Sequence, residues 1–281
     1  MNLDNLNYSK QDGSKVINIE TVSGNLVESD EIGGMGALDS DYSKGEPHLD
    51  TAIVFILSGG SERGKNYFRP LKIDKHIKNI KIAFRSKKGQ GLKPYELVSK
   101  ASDFIKNKTF ITEDGISYHI ENRDTIYLIQ DVDEFGPDIK KYLETNDENL
   151  SINCNWIISN PSFEIWLFYH HYDNPSMLAD GLDMSEHDRS NWLKEYLNKI
   201  IPGGVKSTQA LHFANIAIGN SRKNYSEENG FPNIYATQMH LVAEKIIAIL
   251  GENEYKAMNE RRNARITFFK SQNHKNNHSQ D

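Results

Sequence analysis

The sequence predicts an α/β fold in which a mostly parallel sheet is flanked by helices. Two short apolar runs, at 51–57 and 126–129, contain β-branched and aromatic residues and end in polar segments. Runs of this kind are typical of strands that are buried on both faces of a parallel sheet. Stretches with helical spacing of apolar residues follow them. We therefore predict an α/β core over residues 51–172 and a helical portion of the same domain over residues 173–250.

The individual elements follow from apolar periodicity and from turn residues. Pro94 and Pro161 are each well placed to begin a helix, because proline is tolerated in the first helical turn. Glu113-Asp114-Gly115 is a turn signal between two β-prone pieces. The predicted elements are strands at 51–57, 80–85, 126–131 and 153–159, a hairpin at 109–120, and helices from Pro94 to about Lys106, after Gly136-Pro137, from Pro161, and at 188–200, 210–218 and 234–250.

Composition and charge restrict the class of protein. The 281 residues include 37% hydrophobic residues, which is enough for a core, and the net charge is −6. The single Cys154 excludes an intramolecular disulfide framework and a cysteine-based zinc cluster. The sequence contains no basic-then-apolar leader and no apolar run of membrane-spanning length. We predict a soluble, cytoplasmic protein that does not contact a membrane.

Both ends of the chain are polar. Residues 1–50 are rich in Asn, Ser, Asp, Glu and Gly without a sustained period, which predicts a flexible N-terminal arm that is a candidate contact for a partner. Residues 251–281 carry several arginines and then become rich in Ser, Asn, His and Gln. We predict that this stretch is a flexible basic tail.

A glycine-rich turn follows the first predicted strand. Gly59-x₄-Gly64-Lys65 has the skeleton of a Walker A loop, but Asn66 stands where Ser or Thr should bind Mg²⁺. A P-loop NTPase is therefore one alternative, weakened by that carboxamide. A strand, a glycine-rich turn and a helix also present backbone N–H groups to phosphates in other α/β proteins.

Positive charge is concentrated after this turn. Residues 65–108 contain thirteen Lys or Arg and three acidic residues. Such a segment is able to follow a phosphate backbone, although charge runs are more often solvated faces. The basic candidates for binding nucleic acid or phosphate are Arg63, Lys65, Arg85, Lys87 and Lys88.

Carboxylates follow the strand at 126–131. Asp131 and Asp133 are separated by one residue at its end, where ligands gather in open α/β sheets. Oxygen ligands of this kind suit Mg²⁺, but both residues are equally suited to capping the following turn. Glu164 falls in the first turn of the helix predicted from Pro161, where the helix dipole favours a carboxylate. We expect its side chain to point toward the strand ends.

Three stretches in order resemble the RloB family, which includes the second protein of the AbiL phage-abortive-infection system. They are the turn leading into Asn66-Tyr67-Phe68, the strand ending in Asp131-Val132-Asp133-Glu134, and SNPSFEIWLFYH at 159–170. With PNIYATQMHLVAEKI at 232–246 they cover about residues 51–250. The resemblance implies a Toprim-like fold, a metal-dependent nuclease activity and an AAA/ABC-type ATPase encoded beside it in an anti-phage defence system.

The resemblance is carried over residue by residue. Asp131 and Asp133 match the Toprim Asp-x-Asp, which would hold Mg²⁺ or Mn²⁺. Asn160 and Glu164 match Ser-Asn-Pro-x-Phe-Glu, which implies a phosphate contact for Asn160 and, for Glu164, a role as a further metal ligand or as a residue that orients one. The family pattern Cys-Glu-Gly-x-x-Thr-Glu-x-x-Tyr-Phe is not matched at its two acidic positions, because Gly59 and Gly64 stand there.

Two functions remain open on this pattern. The first is a Mg²⁺-dependent nuclease of DNA or RNA that acts beside the ATPase and forms a possible homo-oligomer. Its catalytic residues would be Glu62, Asp131, Asp133, Glu164 and Lys206; Glu62 is the acid left in the turn, and Lys206 is a candidate for neutralising transition-state charge. The second is a catalytically degenerate Toprim-like subunit that binds nucleic acid or a nucleotide and acts as a sensor.

Overall fold

The centre of the fold is a four-stranded, fully parallel sheet. The computed structural model describes residues 51–60, 62–87, 89, 91–145 and 153–277. The strands of the sheet lie in the order β2-β1-β5-β6. Their bounds are β1 Ala52–Ser58, β2 Ile80–Arg85, β5 Ile126–Asp131 and β6 Cys154–Ser159, and the two short antiparallel pairs are β3 Thr109–Ile111 with β4 Ser117–His119 and β7 Glu227–Glu228 with β8 Phe231–Pro232. The predicted α/β fold class is confirmed.

Helices cover the sheet on both faces. The α-helices are α1 Arg63–Tyr67, α2 Arg69–Ile73, α3 Pro94–Lys106, α4 Gly136–Glu144, α5 Glu164–Tyr169, α6 Glu186–Ile200, α7 Ser207–Ala210, α8 Ala214–Asn224, α9 Met239–Leu250 and α10 Glu252–Asn277. Short 3₁₀ helices lie at Pro175–Gly181 and Leu211–Phe213. No helix within these described ranges is long and apolar enough to cross a membrane.

The central strands are buried on both faces, as continuous apolar strands of parallel sheets are. Val54 and Ile56 of β1 belong to one core cluster, which includes Trp166 and the apolar residues of α9. The intervening Phe55 and Leu57 belong to a second cluster, formed with α3 and the β3–β4 hairpin. Because side chains alternate along β1, helices pack against the sheet on both of its faces.

The strand register aligns the ends of three strands. Ser58 of β1 pairs with Ile129, and Asp131 of β5 pairs with Ser159 of β6. Because all these strands run in the same direction, the residues that follow them emerge at one edge of the sheet. We call this the carboxyl edge, defined by Gly59, residues 130–133 and residues 159–164.

Two segments differ from the sequence-based expectation. The helix expected from Pro161 begins at Glu164, after a cis Asn160–Pro161 bond. The stretch expected to be a flexible tail forms α10 through Asn277, and its Tyr255 and Met258 are buried against the core. The Tyr255 hydroxyl donates to the Leu211 carbonyl at 2.9 Å, which attaches the first turns of α10 to the fold. The predicted N-terminal arm, residues 1–50, lies outside the described residues.

Candidate functional site

The Asp131–Asp133 turn is fixed to the segment that follows β6. Val132 N donates to the Ser159 carbonyl and Asp133 N donates to the Pro161 carbonyl, both at 3.0 Å. Asp133 has a positive φ of 29°. These contacts place both carboxylates at the carboxyl edge, next to the start of α5.

Glu164 lies in the first turn of α5, as the sequence predicted, and is 1% exposed. Arg63, the first residue of α1, donates from Nη1 to Glu164 Oε1. The other carboxylate oxygen, Oε2, is buried and has no hydrogen-bond partner among the described residues. An ion pair with one buried partner is screened less by solvent than a surface pair. The Arg63–Glu164 contact therefore places a positive charge next to a buried carboxylate.

The two aspartates lie in an environment that disfavours their charged form. Burial raises the pKa of Asp131 well above its usual range, and the nearby Glu164 charge raises it further, while Lys194 acts in the opposite direction. Burial also raises the pKa of Asp133, against the opposing influence of Lys194 and Ser190. Buried like charges at one site are typical of functional carboxylates, although structural networks produce them too.

The polar face of α6 was missed by sequence reasoning. Lys194 influences both aspartates, and His187 Nδ1 lies 3.0 Å from Glu134 Oε1 and 3.7 Å from Asp133 Oδ1. Ser190, which is fully buried, lies between His187 and Lys194 on the helix. His187, Ser190 and Lys194 are spaced at i, i+3 and i+7, which places them on one helix face. This spacing is visible in the sequence. The helix was predicted from its apolar face alone, so the polar face was not assigned to the site.

A side chain at position 59 would require the Gln130 side chain to move. A Cβ at Gly59 would lie 2.2 Å from Gln130 Oε1, and a Cβ at Gly91 would lie 1.6 Å from the Gly59 carbonyl oxygen. The same carbonyl accepts from Leu92 N at 3.1 Å, and Gly59 N donates to the Ile129 carbonyl at 2.8 Å. Gln130 and the loop before α3 thus occupy the space around Gly59.

The donor set as it stands does not fit a divalent ion. Across the described parts of the chain, no group of three or more His, Cys, Asp or Glu residues is arranged to hold a metal. A guanidinium already occupies one face of Glu164. The feature that favours a cation is that two buried carboxylate oxygens, Glu164 Oε2 and Asp133 Oδ1, accept no hydrogen bond among the described residues.

Three further predicted site residues are Glu62, Lys206 and Asn160. Glu62 is exposed just before α1, and Lys206 is exposed just before α7. In the part of the chain that the structure describes, neither side chain forms a hydrogen bond or an ion pair with Asp131, Asp133 or Glu164. Asn160 is 8% exposed, and its Nδ2 donates to the Pro232 carbonyl at 2.9 Å. Asn160 therefore connects β6 to the segment before α9.

The basic candidates are mostly paired. Lys65 Nζ lies 2.8 Å from Glu113 Oε2, and Lys87 Nζ lies 3.1 Å from Glu96 Oε1. Arg85 donates from Nη1 to the Ile111 carbonyl at 2.8 Å. Lys88 lies outside the described residues. Since a Walker lysine points to phosphates, the Lys65–Glu113 pair gives the P-loop alternative no support.

An aromatic group beneath the carboxyl edge contains a buried histidine. His170 is 5% exposed, and its Nδ1 lies 2.8 Å from the Trp166 carbonyl. Its ring lies at the edge of Trp166, with centroids 4.9 Å apart, and at the edge of Tyr67, with centroids 5.8 Å apart. This burial and the aromatic contacts indicate a structural role for His170.

Acid is expected to destabilise the protein through His170. Burial lowers the pKa of His170 from 6.5 to about 3. The unfolded state therefore binds a proton first as the pH falls below 6.5, so stability is complete above 6.5 and is lost between 6.5 and about 3. The expected loss is about 1.4 kcal/mol per pH unit in this window. Urea unfolding of wild type and His170→Gln at pH 7, 6 and 5 measures it.

The control for that series is the exposed His119, changed in the same way. The His170→Gln variant should show a shallower loss of stability with acid than wild type, whereas His119→Gln should follow wild type. Parallel pH curves for wild type and His170→Gln would contradict the assignment of this acid sensitivity to His170.

Comparison with models of protein families identifies the family of this chain. A family model described as RloB-like protein matches residues 54–246, which is more than half of the 281 residues. No curated protein and no solved structure matches the chain. The matched span contains the whole carboxyl edge, from Gly59 to Glu164. The chain therefore belongs to the RloB-like family.

Proposed function

We propose that this protein is a Toprim-like subunit that binds nucleic acid at the carboxyl edge of its sheet without cutting it. The observation that carries the proposal is the Arg63–Glu164 ion pair, which occupies a carboxylate that the resemblance implies as a metal ligand or as a residue that orients one. Gly59 adds to it, because glycine supplies no carboxylate at the position where the resemblance implies the catalytic acid.

Basic side chains support phosphate binding at this edge. Arg63 and Lys65 follow the carboxyl end of β1, and Lys87 follows that of the neighbouring β2. The Lys65 and Lys87 side chains are 55% and 51% exposed in their ion pairs. Exposed pairs of this kind contribute about 0–1 kcal/mol. A nucleic-acid phosphate can therefore replace the glutamate partners at little cost.

Binding is tested with labelled single-stranded DNA, duplex DNA and RNA, by fluorescence anisotropy over a range of salt concentrations. We expect affinity that falls with salt, because binding releases counterions from the nucleic acid. The double variant Lys65→Ala/Lys87→Ala should bind more weakly and lower the salt slope by about 2. The matched control is Lys245→Ala/Lys256→Ala, two exposed lysines of α9 and α10, which should behave like wild type.

A second candidate function is the Mg²⁺- or Mn²⁺-dependent nuclease. Glu164 Oε2 and Asp133 Oδ1 favour it, because these buried oxygens accept no hydrogen bond among the described residues and carboxylate oxygens are the ligands that Mg²⁺ prefers. Incubation of the same nucleic acids with each metal separates the two functions. Intact substrate with retained binding supports the binding subunit. Metal-dependent cleavage that Asp131→Asn abolishes would establish the nuclease and overturn the first proposal.

The proposed setting is an anti-phage defence system in which the protein acts beside an AAA/ABC-type ATPase. Membership of the RloB-like family supports this, since the family resemblance carries that association. Co-expression with the product of a neighbouring ATPase gene, followed by co-purification with and without ATP, tests it. The cleavage assay is repeated with the co-purified pair, because an ATPase could alter the site. A homo-oligomer stays a prediction that light scattering decides.

A further inference from the structure

The carboxyl edge carries its own positive charge beside its most buried carboxylate. Arg63 precedes Glu164 by 101 residues, yet its Nη1 donates to Glu164 Oε1. The Glu164 side chain is 2% exposed, whereas that of Arg63 is 37% exposed. The guanidinium therefore extends from a buried carboxylate to the protein surface, where a ligand can reach it.

The guanidinium keeps hydrogen-bonding capacity for a ligand. Arginine has five N–H donors in a planar fork, and the fork matches both carboxylate and phosphate oxygens. Among the described residues, Glu164 is the one side chain that accepts a hydrogen bond from Arg63, and it does so from Nη1. The remaining donors are available to a phosphate oxygen on the solvent side.

We propose that the Arg63 guanidinium takes the place of a divalent cation at the carboxyl edge and binds a nucleic-acid phosphate without a metal ion. This inference rests on the nucleic-acid binding proposed above and names the group that makes the contact. Removal of the arginine should turn the edge into a better metal site.

The first experiment measures Mn²⁺ binding to the full-length protein without nucleic acid, by titration calorimetry and by the electron paramagnetic resonance signal of free Mn²⁺. We expect wild type to bind Mn²⁺ weakly and Arg63→Thr to bind it at least tenfold more tightly, which corresponds to about 1.4 kcal/mol. Adding Glu164→Gln to Arg63→Thr should remove the gain. Arg69→Thr is the matched control, since Arg69 is an exposed arginine at the start of α2.

A second variant distinguishes the loss of the arginine charge from a folding defect. Arg63→Gln can still donate to Glu164 but carries no charge, so it should gain Mn²⁺ affinity while keeping the packing of α1. Circular dichroism and thermal unfolding establish that each variant is folded before binding is measured. Equal Mn²⁺ affinity in wild type and in the folded Arg63 variants would overturn the proposal, because the arginine would then not exclude the metal.

The second experiment measures oligonucleotide affinity in EDTA. Wild type should bind equally well with EDTA and with Mg²⁺, and Arg63→Gln should lose at least tenfold in affinity in EDTA. If wild type binds nucleic acid only when Mg²⁺ is present, the proposal fails while nucleic-acid binding itself stands. If no nucleic acid binds under any condition, the proposed function fails, and the Mn²⁺ titrations still decide whether Arg63 excludes a metal.

Discussion

Replacement of Trp166 by alanine is expected to lower the free energy of unfolding by about 3–5 kcal/mol. Trp166 is fully buried on α5, the helix that begins with Glu164, and it belongs to the larger core cluster. Its ring lies edge-on to Tyr67 of α1, with centroids 6.1 Å apart. Alanine would leave a cavity between α1 and α5, because rigid neighbours relax only in part. Urea unfolding followed by circular dichroism measures the loss.

Trp192→Ala provides the matched control. Trp192 is only partly buried on α6 and stacks on Tyr196, with centroids 4.9 Å apart and an interplanar angle of 18°. Its replacement removes less buried apolar surface, so the expected loss is smaller, about 1–2 kcal/mol. Equal losses at the two tryptophans would contradict the placement of Trp166 at the centre of the core.

Gly91→Ala is the second large effect, with an expected loss of about 2–5 kcal/mol. Gly91 has φ of +72°, where an L side chain costs about 1–2 kcal/mol. The added Cβ would also lie 1.6 Å from the Gly59 carbonyl oxygen, a backbone atom that moves only with β1. Overpacking of this kind costs about 1–3 kcal/mol more. Urea unfolding again measures it.

Gly89 separates the two contributions. Its φ is +85°, but a Cβ there would meet no atom within 4 Å. Gly89→Ala should therefore cost only the conformational part, about 1–2 kcal/mol. If Gly89→Ala and Gly91→Ala destabilise equally, the close approach of the loop to Gly59 does not exist in solution.

The sheet could be predicted from the sequence because each of its central strands is a short, continuous apolar run. β1, β5 and β6 are short buried runs with charged or polar ends, and the structure places them as adjacent parallel strands. Helix α10 could not be predicted so well. Among the side chains of α10 that the structure describes, Tyr255 and Met258 are the two buried apolar ones, and they lie in the stretch 252–263, which is mostly polar. A contact made by so few apolar residues leaves little periodic signal.

The candidate site was predictable only in part. Asp131, Asp133 and Glu164 lie at the same edge of the sheet because strand ends and a helix start are recognisable locally. The Arg63–Glu164 pair depends instead on the packing of α1 against the start of α5, which no local pattern encodes. The contact between Gln130 and Gly59 depends likewise on the pairing of β1 with β5. Side chains of distant segments meet here through tertiary structure alone.

The side chain of Gln130 couples position 59 to position 130. A Cβ at 59 would come within 2.2 Å of Gln130 Oε1, which is the far end of a flexible side chain, so a residue larger than glycine at 59 requires Gln130 to adopt another rotamer. The effects of substitutions at these two positions on stability are therefore not expected to add, because neighbours that share one space do not act independently.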